Sequence, residues 1–281
     1  MAQYQSNVSA VDSNLYCTIF GCDEMRAIMG DIAYESRMVE VEVKLATVQA
    51  RLGMIPLAAA HEIQCKCKVE HLDRNKMRTD TELVGLPVWG LVRQLSTMAG
   101  KQDSGRFVHW GLNTHDIMDL ARSLQMREGL DLIAKQLNSI RNILVRLICQ
   151  YRETPMVART HLQHALPTTF GCRVAIWLSA LDRHAERLAQ LTPRALLVQA
   201  GGASGSLASF GGMVCDDDKE PDGLRLLSAL ASELGLVESA MPWHAARDGL
   251  AEVVLFLSLL GGSLAKIALD VCGMNPSNYP D

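Results

Sequence analysis

Ala158 to Gly171 reads ARTHLQHALPTTFG. Thr160, His161, Gln163 and His164 crowd together there, and Pro167-Thr168-Thr169 follows. A polar knot of this kind between two long apolar-periodic segments is either a helix joint or an active site. The flanking segments decide what it joins. Upstream, residues 117–151 carry Leu120, Leu124, Leu130, Leu137, Ile140, Leu144, Leu147 and Tyr151 as an apolar stripe, with no proline to interrupt it. At 1.5 Å per residue such a helix spans roughly 50 Å. A small globular core does not cover that length, so the pattern predicts a long-helix bundle. Asn113, Thr114 or Asp116 is placed to cap its start.

Downstream, a second long helix is predicted after Pro167, through Val174, Ile176, Leu178, Leu181, Ala185 and Leu188. A third covers residues 245–271, with Val253, Leu257, Leu260, Leu264 and Ile267; its stretch 255–264 is nearly uncharged and reads as buried inside something larger. Towards the N-terminus, Met38, Val41, Leu45, Val48 and Leu52 give a helix over 34–52, stopped by Gly53 and Pro56. A shorter helix is expected over 87–96, and residues 61–80 are polar and less regular. The fold class is therefore mainly α. We divide it into an N-terminal helical domain, 1–112, and a central long-helix bundle domain, 113–281.

The chain has 281 residues, 48% of them hydrophobic and 21% charged, with a formal net charge of −4. No basic block is present, which argues against nucleic acid as a partner. The apolar run at 253–260 is short and meets Gly-Gly-Ser, so no membrane span is expected, and the first residues lack the pattern of a secretory signal. The eight cysteines are scattered, which fits reduced thiols and a cytoplasmic location. Cys65-Lys66-Cys67 has no matching second pair, so no metal is expected. Gly201 to Ser206 (GGASGS) is glycine-rich, but no strand precedes it and no Lys-Ser/Thr follows. It predicts a turn or a close backbone approach rather than a phosphate loop. Residues 216–220 read as an exposed acidic loop.

A second polar cluster, His109-Trp110-Gly111-Leu112-Asn113-Thr114-His115-Asp116, precedes the first long helix. Histidine suits proton transfer near neutral pH, while Thr, Asn and Gln hold a carboxylate by hydrogen bonds without titrating. The same residue types also serve as helix caps. Were the first two long helices antiparallel, the two joints of one chain would lie at opposite ends of the bundle. A symmetric oligomer removes that difficulty, and the nearly unbroken apolar faces call for partners too.

Four stretches, in order, carry a resemblance: VHWGLNTHDIMD (108–119), ARTHLQHALPTTFG (158–171), GGASGSLASFG (201–211) and PWHAARDGLAE (242–252). With residues 38–56 they resemble the fumarase/aspartase superfamily, and within it the 3-carboxy-cis,cis-muconate cycloisomerases, then the adenylosuccinate lyases. The resemblance implies a helical bundle and a homotetramer whose sites draw on several subunits. It implies chemistry without a cofactor on a small unsaturated di- or tricarboxylate. The implied reactions are lactone closure of the cycloisomerase type, linked to aromatic degradation, or C–N or C–O cleavage releasing fumarate. A binding or assembly role without catalysis is the third possibility.

Carried over by motif, Asn113, Thr114 and Asp116 match the family's Thr-Ser-x-Asp segment. His161 matches the acid/base histidine of the adenylosuccinate lyases, with Thr160 and Gln163 orienting substrate. His109 lines the pocket as a second catalytic candidate, and His115 is a further polar candidate. Lys266 reads as a structural or subunit contact. The family's Gly-Ser-Ser-x-Met-Pro-x-Lys-x-Asn-Pro loop is expected after the third long helix. The sequence there is GMNPSNYPD (273–281), in which Asn275-Pro276 only echoes it, so the bundle domain reads as incomplete relative to the family.

Overall fold

The structure, a computed structural model, describes residues 9–11, 13–161, 163–210 and 222–274. The acidic run 216–220 and the pair Asn275-Pro276 lie outside them. The described residues form helices α1 (Cys17–Phe20), α2 (Asp23–Met29), α3 (Asp31–Arg51), α4 (Leu57–Lys66), α5 (Arg74–Val84), α6 (Pro87–Met98), α7 (Thr114–Tyr151), α8 (Phe170–Ala195), α9 (Asp222–Leu234) and α10 (Asp248–Gly273). Strands β1 (Pro155–Thr160) and β2 (Gln163–Thr169) lie between α7 and α8. The architecture is the mainly α long-helix bundle class that the sequence predicts.

Two compact units emerge: Met1–Gly129 with Leu196–Ala246, and Leu130–Ala195 with Arg247–Asp281. The division falls within α7, whereas the sequence suggests one between 112 and 113.

In the first unit, α3 packs against α4 and α9. Its buried stripe is Met38, Val41, Leu45 and Val48, at three- and four-residue spacing. Glu42 and Gln49 are also buried on this helix, so two polar groups face the interior and need partners. Asp73 caps α5 by accepting from the N–H groups of Asn75 and Lys76. Gly85 ends that helix in the left-handed conformation, φ 83°. Pro87 starts α6, a position where its missing N–H costs nothing.

In the second unit, α8 packs on α10. The α8 stripe is Val174, Trp177, Leu181, His184, Leu188 and Leu191, all buried. Two polar links fix how the helices meet. Trp177 Nε1 donates to Asp270 Oδ2 at 2.6 Å, and His184 Nε2 meets Ser263 Oγ at 2.8 Å. These links are two turns apart on each helix and run in opposite chain directions, so the pairing is antiparallel. Arg173 and Lys266 complete the Asp270 cluster. Burial acts to raise the Asp270 pKa, but the bonds from Lys266 and Trp177 and the Arg173 charge outweigh it and hold the carboxyl low. Lys266 is thus engaged in a structural ion pair.

The sequence predicts a helix over 245–271 and reads its apolar run 253–260 as too short to span a membrane. In the structure that run is part of α10, which continues through Gly261-Gly262 and is long and apolar enough, by length and composition alone, to cross a membrane. Its buried residues are Val253, Phe256 and Leu260, while Val254, Leu255, Leu259, Leu269 and Val271 are exposed.

One correction concerns 158–171. The sequence reads it as a joint between helices, but it is an antiparallel hairpin. Pro155 pairs with Thr169, Val157 with Pro167 and Thr160 with Gln163, with an irregularity between Val157 and Arg159. Val157, Thr160, Thr168 and Thr169 are β-branched, and Pro155 and Pro167 lack a helical N–H. In a two-stranded ribbon each strand is an edge, which accommodates proline. Leu181 is fully buried in the α8 stripe. Leu181→Ala is expected to lower the unfolding free energy by about 2–5 kcal/mol, read from the urea midpoint. A loss under about 1 kcal/mol would show that this seam is not closely packed.

Candidate active site

The start of α7 is built around Asp116. Asn113 stands just before the helix, and its backbone N–H donates back to Asp116 Oδ2 at 2.9 Å, half of a capping box. Asn113 Oδ1 accepts from the Thr114 N–H at 2.7 Å and from the Thr114 hydroxyl at 3.1 Å. The Asp116 side chain is completely buried, so its oxygens need internal donors. The 199–202 segment supplies them: Gln199 Nε2 at 3.2 Å, Gly201 N–H at 3.2 Å and Gly202 N–H at 3.0 Å. His244 Nε2 completes the set at 2.8 Å.

The glycines are required by this packing. A Cβ on Gly201 would stand 2.8 Å from His244 Cε1. Gly202 has φ 69°, a conformation that favours glycine, and a Cβ there would stand 3.2 Å from the Gly111 carbonyl oxygen. Gln199 joins the layers from the other end. Its Oε1 accepts from the Trp243 N–H at 2.8 Å while its amide nitrogen serves Asp116.

His109 has a separate carboxylate partner. Glu42 on α3 takes the His109 backbone N–H on Oε2 at 3.0 Å and the ring Nδ1 on Oε1 at 2.7 Å. Burial acts to lower the His109 pKa. The Glu42 charge and hydrogen bond, with Asp116 adding to them, outweigh burial and raise it. His109 has φ 61° and His161 φ 52°, two of three non-glycine residues at positive φ among the described residues. Such a backbone costs on the order of 1–3 kcal/mol and persists where surrounding contacts fix it. Around His109 those contacts include Gln49 Nε2, which donates to the Trp110 carbonyl at 2.7 Å.

The site candidates therefore separate. His109, Asn113, Thr114 and Asp116 come together in the first unit, with both Asp116 oxygens occupied by donors. His115 is exposed on the first turn of α7. Thr160, His161 and Gln163 belong to the hairpin of the second unit. All three are exposed, and His161 opens the two-residue turn, where positive φ is favoured. His161 also borders a cavity of about 530 Å³, with Arg159, Thr168, Arg173, Ile176 and Asp270. Thr160 and Gln163 do not line it. Among the described residues no group of three or more His, Cys, Asp or Glu is placed to hold a metal. Glu42, Gln199 and His244 are absent from the sequence-based set. His244 sits inside the quoted 242–252 stretch, so its motif signals the region without its partner.

A family model described as Lyase matches residues 21–279. The chain is 41% identical over 253 residues to trans-aconitate decarboxylase 1 of Mycosarcoma maydis, covering 90% of this chain and 49% of that protein. It is 36% identical over 267 residues to 3-carboxy-cis,cis-muconate cycloisomerase of Pseudomonas aeruginosa, covering 94% and 56%. The crystal structure of fumarate lyase from Mesorhizobium sp. BNC1 superposes with a TM-score of 0.82 at 47% identity, covering 90% of this chain and 57% of that one. The chain thus spans about half the length of the curated relatives it matches.

Two tests follow from this geometry. Asp116→Ala leaves buried donors without an acceptor, each costing about 1–3 kcal/mol. The variant is expected to lose on the order of 3 kcal/mol or more in urea unfolding. A loss below about 1 kcal/mol would mean the glycine-rich segment is held by other contacts. The second concerns pH. Because the His109 pKa is raised by folding, its contribution to stability is complete below the unfolded value of about 6.5. It disappears as pH rises through the higher folded value. Stability measured from pH 6 upward should fall more steeply for the parent than for His109→Gln, and parallel slopes would refute the pair's role.

Proposed function

The chain belongs to the lyase family of the fumarase/aspartase superfamily, and from that membership we propose an acid/base catalyst acting on a small unsaturated di- or tricarboxylate. The carrying observation is the pair of histidine–carboxylate contacts, His109–Glu42 and His244–Asp116, flanking Asn113 and Thr114 at the start of α7. A helix N-terminus and neutral hydrogen-bonding side chains suit a substrate carboxylate, and imidazoles suit proton transfer.

The first reading is lactonisation of the 3-carboxy-cis,cis-muconate kind. One carboxylate oxygen of the substrate attacks its own C=C bond. The electron pair moves to the neighbouring carbon, where the adjacent carboxylate delocalises it. A proton then bonds to that carbon, and no atom leaves. In this reading His161 and His109 are the proton-handling candidates, while Asn113, Thr114, His115, Thr160 and Gln163 are the binding candidates. Asp116 sets the geometry of its neighbours. The proposal includes a cytoplasmic homo-oligomer of the family's tetrameric kind, supported by the uncovered apolar residues of α10. No cofactor is invoked.

A second reading, decarboxylation of a tricarboxylate alkene, is favoured by the 41% identity to the trans-aconitate decarboxylase. Lyase chemistry releasing fumarate, as expected from the match of His161 to adenylosuccinate lyases, is a third arm of the test. The deciding experiment follows loss of the diene absorbance of 3-carboxy-cis,cis-muconate with purified protein. In parallel it follows CO2 release from trans-aconitate and cleavage of adenylosuccinate. Turnover of the muconate, reduced about 10²–10⁴-fold in His161→Ala, is the expected result. CO2 release without diene loss would replace lactonisation by decarboxylation. Inactivity on all three would favour the binding or assembly role.

A further inference from the structure

The Asp116 carboxylate receives donors on both oxygens: Gln199, Gly201 and His244 on Oδ1, Asn113 and Gly202 on Oδ2. As a carboxylate it only accepts, so the hydrogen in the His244 contact belongs to Nε2. In the neutral ring Nδ1 is then the bare nitrogen. Nδ1 has no hydrogen-bond partner among the described residues, and it is not buried. Asp116 and Gln199 are wholly buried, while the His244 side chain is 24% exposed. This imidazole is one end of the Asp116 network that solvent reaches. A buried carboxylate behind an imidazole fixes its orientation and tautomer.

We propose that His244, oriented by Asp116, is a substrate-binding residue of this site that takes a ligand carboxylate on Nδ1 and gains a proton as it does so. The inference rests on the carboxylate-substrate reading above and adds a residue to it. The proton comes from solvent, and the imidazolium then donates Nε2–H to Asp116 and Nδ1–H to the ligand. A ligand carboxylate beside the ring favours its charged form, so binding and protonation reinforce each other. Gly201 supports the arrangement, since its missing Cβ leaves room for the ring edge at Cε1. The titratable group that meets this ring from α7 is Asp116, whose charge also acts on His109, itself paired with Glu42.

The probe is tricarballylate, a saturated tricarboxylate with no double bond to react. Calorimetric titration of the full chain at pH 7.5, in HEPES and in Tris, gives the number of protons bound with the ligand. The parent is expected to bind with net proton uptake. His244→Gln keeps an N–H for Asp116 but does not titrate. It should bind about tenfold more weakly or worse, with the uptake lost and the thermal midpoint retained. His109→Gln should keep most of the uptake.

Unchanged affinity and uptake in His244→Gln would overturn the inference alone, leaving His244 as a structural pin and the carboxylate reading intact. Failure of the parent to bind tricarballylate would overturn both. Should His244→Gln not fold, nitrogen NMR of 15N-histidine-labelled parent protein decides. The Nδ1 resonance of His244 should move from the bare towards the protonated position as tricarballylate is added. A stationary resonance while other histidines respond overturns the proposal.

Discussion

A buried carboxylate is tolerable only when its oxygens are filled, and Asp116 fills them from three separate parts of the chain. The start of α7 gives Asn113, the glycine-rich segment gives Gln199, Gly201 and Gly202, and the 241–246 segment gives His244. Removing any one leaves the charge less well compensated in a low-dielectric place. The first unit's polar layer is therefore cooperative: its loops are held by one group, and each depends on the others being seated. The same saturation rules Asp116 out as the proton acceptor of a reaction.

The second unit solves a different problem with the same economy. Apolar helix faces pack but do not by themselves fix register. The Trp177–Asp270 and His184–Ser263 links sit two turns apart and lock α8 to α10 in one alignment. His184 suits that task. Burial, then the positive charges of Arg187 and Arg183, push its pKa down, so it serves as a neutral hydrogen-bonding group. His109 is its opposite, held towards the cation by Glu42. Two histidines of one chain thus receive opposite electrostatic assignments, and only the second suits a site for anions.

The long helices were legible because their stripes repeat over many turns. α3, α7, α8 and α10 follow the spacing of Met38–Val48, Leu120–Leu144, Val174–Leu188 and Val253–Leu264. The hairpin was hidden because its strands are short, carry two prolines and have little burial contrast between faces. α9 shows the same limit: its Leu226, Leu230 and Leu234 stripe is brief and flanked by glycine and acidic runs that read as loop. Within the candidate site, Asn113, Thr114 and Asp116 were legible as a motif. Their partners were not: Glu42 lies 67 positions from His109, and His244 lies 128 from Asp116. Residue type announces that a carboxylate and an imidazole exist. Only the folded chain assigns which carboxylate holds which imidazole.

The fate of the glycine-rich segment follows from those assignments. Backbone N–H groups in such a loop commonly cradle a ligand's phosphate. Here the Gly201 and Gly202 N–H groups point inward and are used by the protein's own carboxylate. An incoming anion cannot claim them without displacing Asp116. What remains for it at this edge is the start of α7, with Asn113 and Thr114, and the two imidazoles. Amide donors have a fixed character at any ordinary pH, whereas imidazole donors appear and vanish with a proton. The internal carboxylate thus occupies the amide donors that would otherwise form a constant anion site and leaves the imidazoles at its edge.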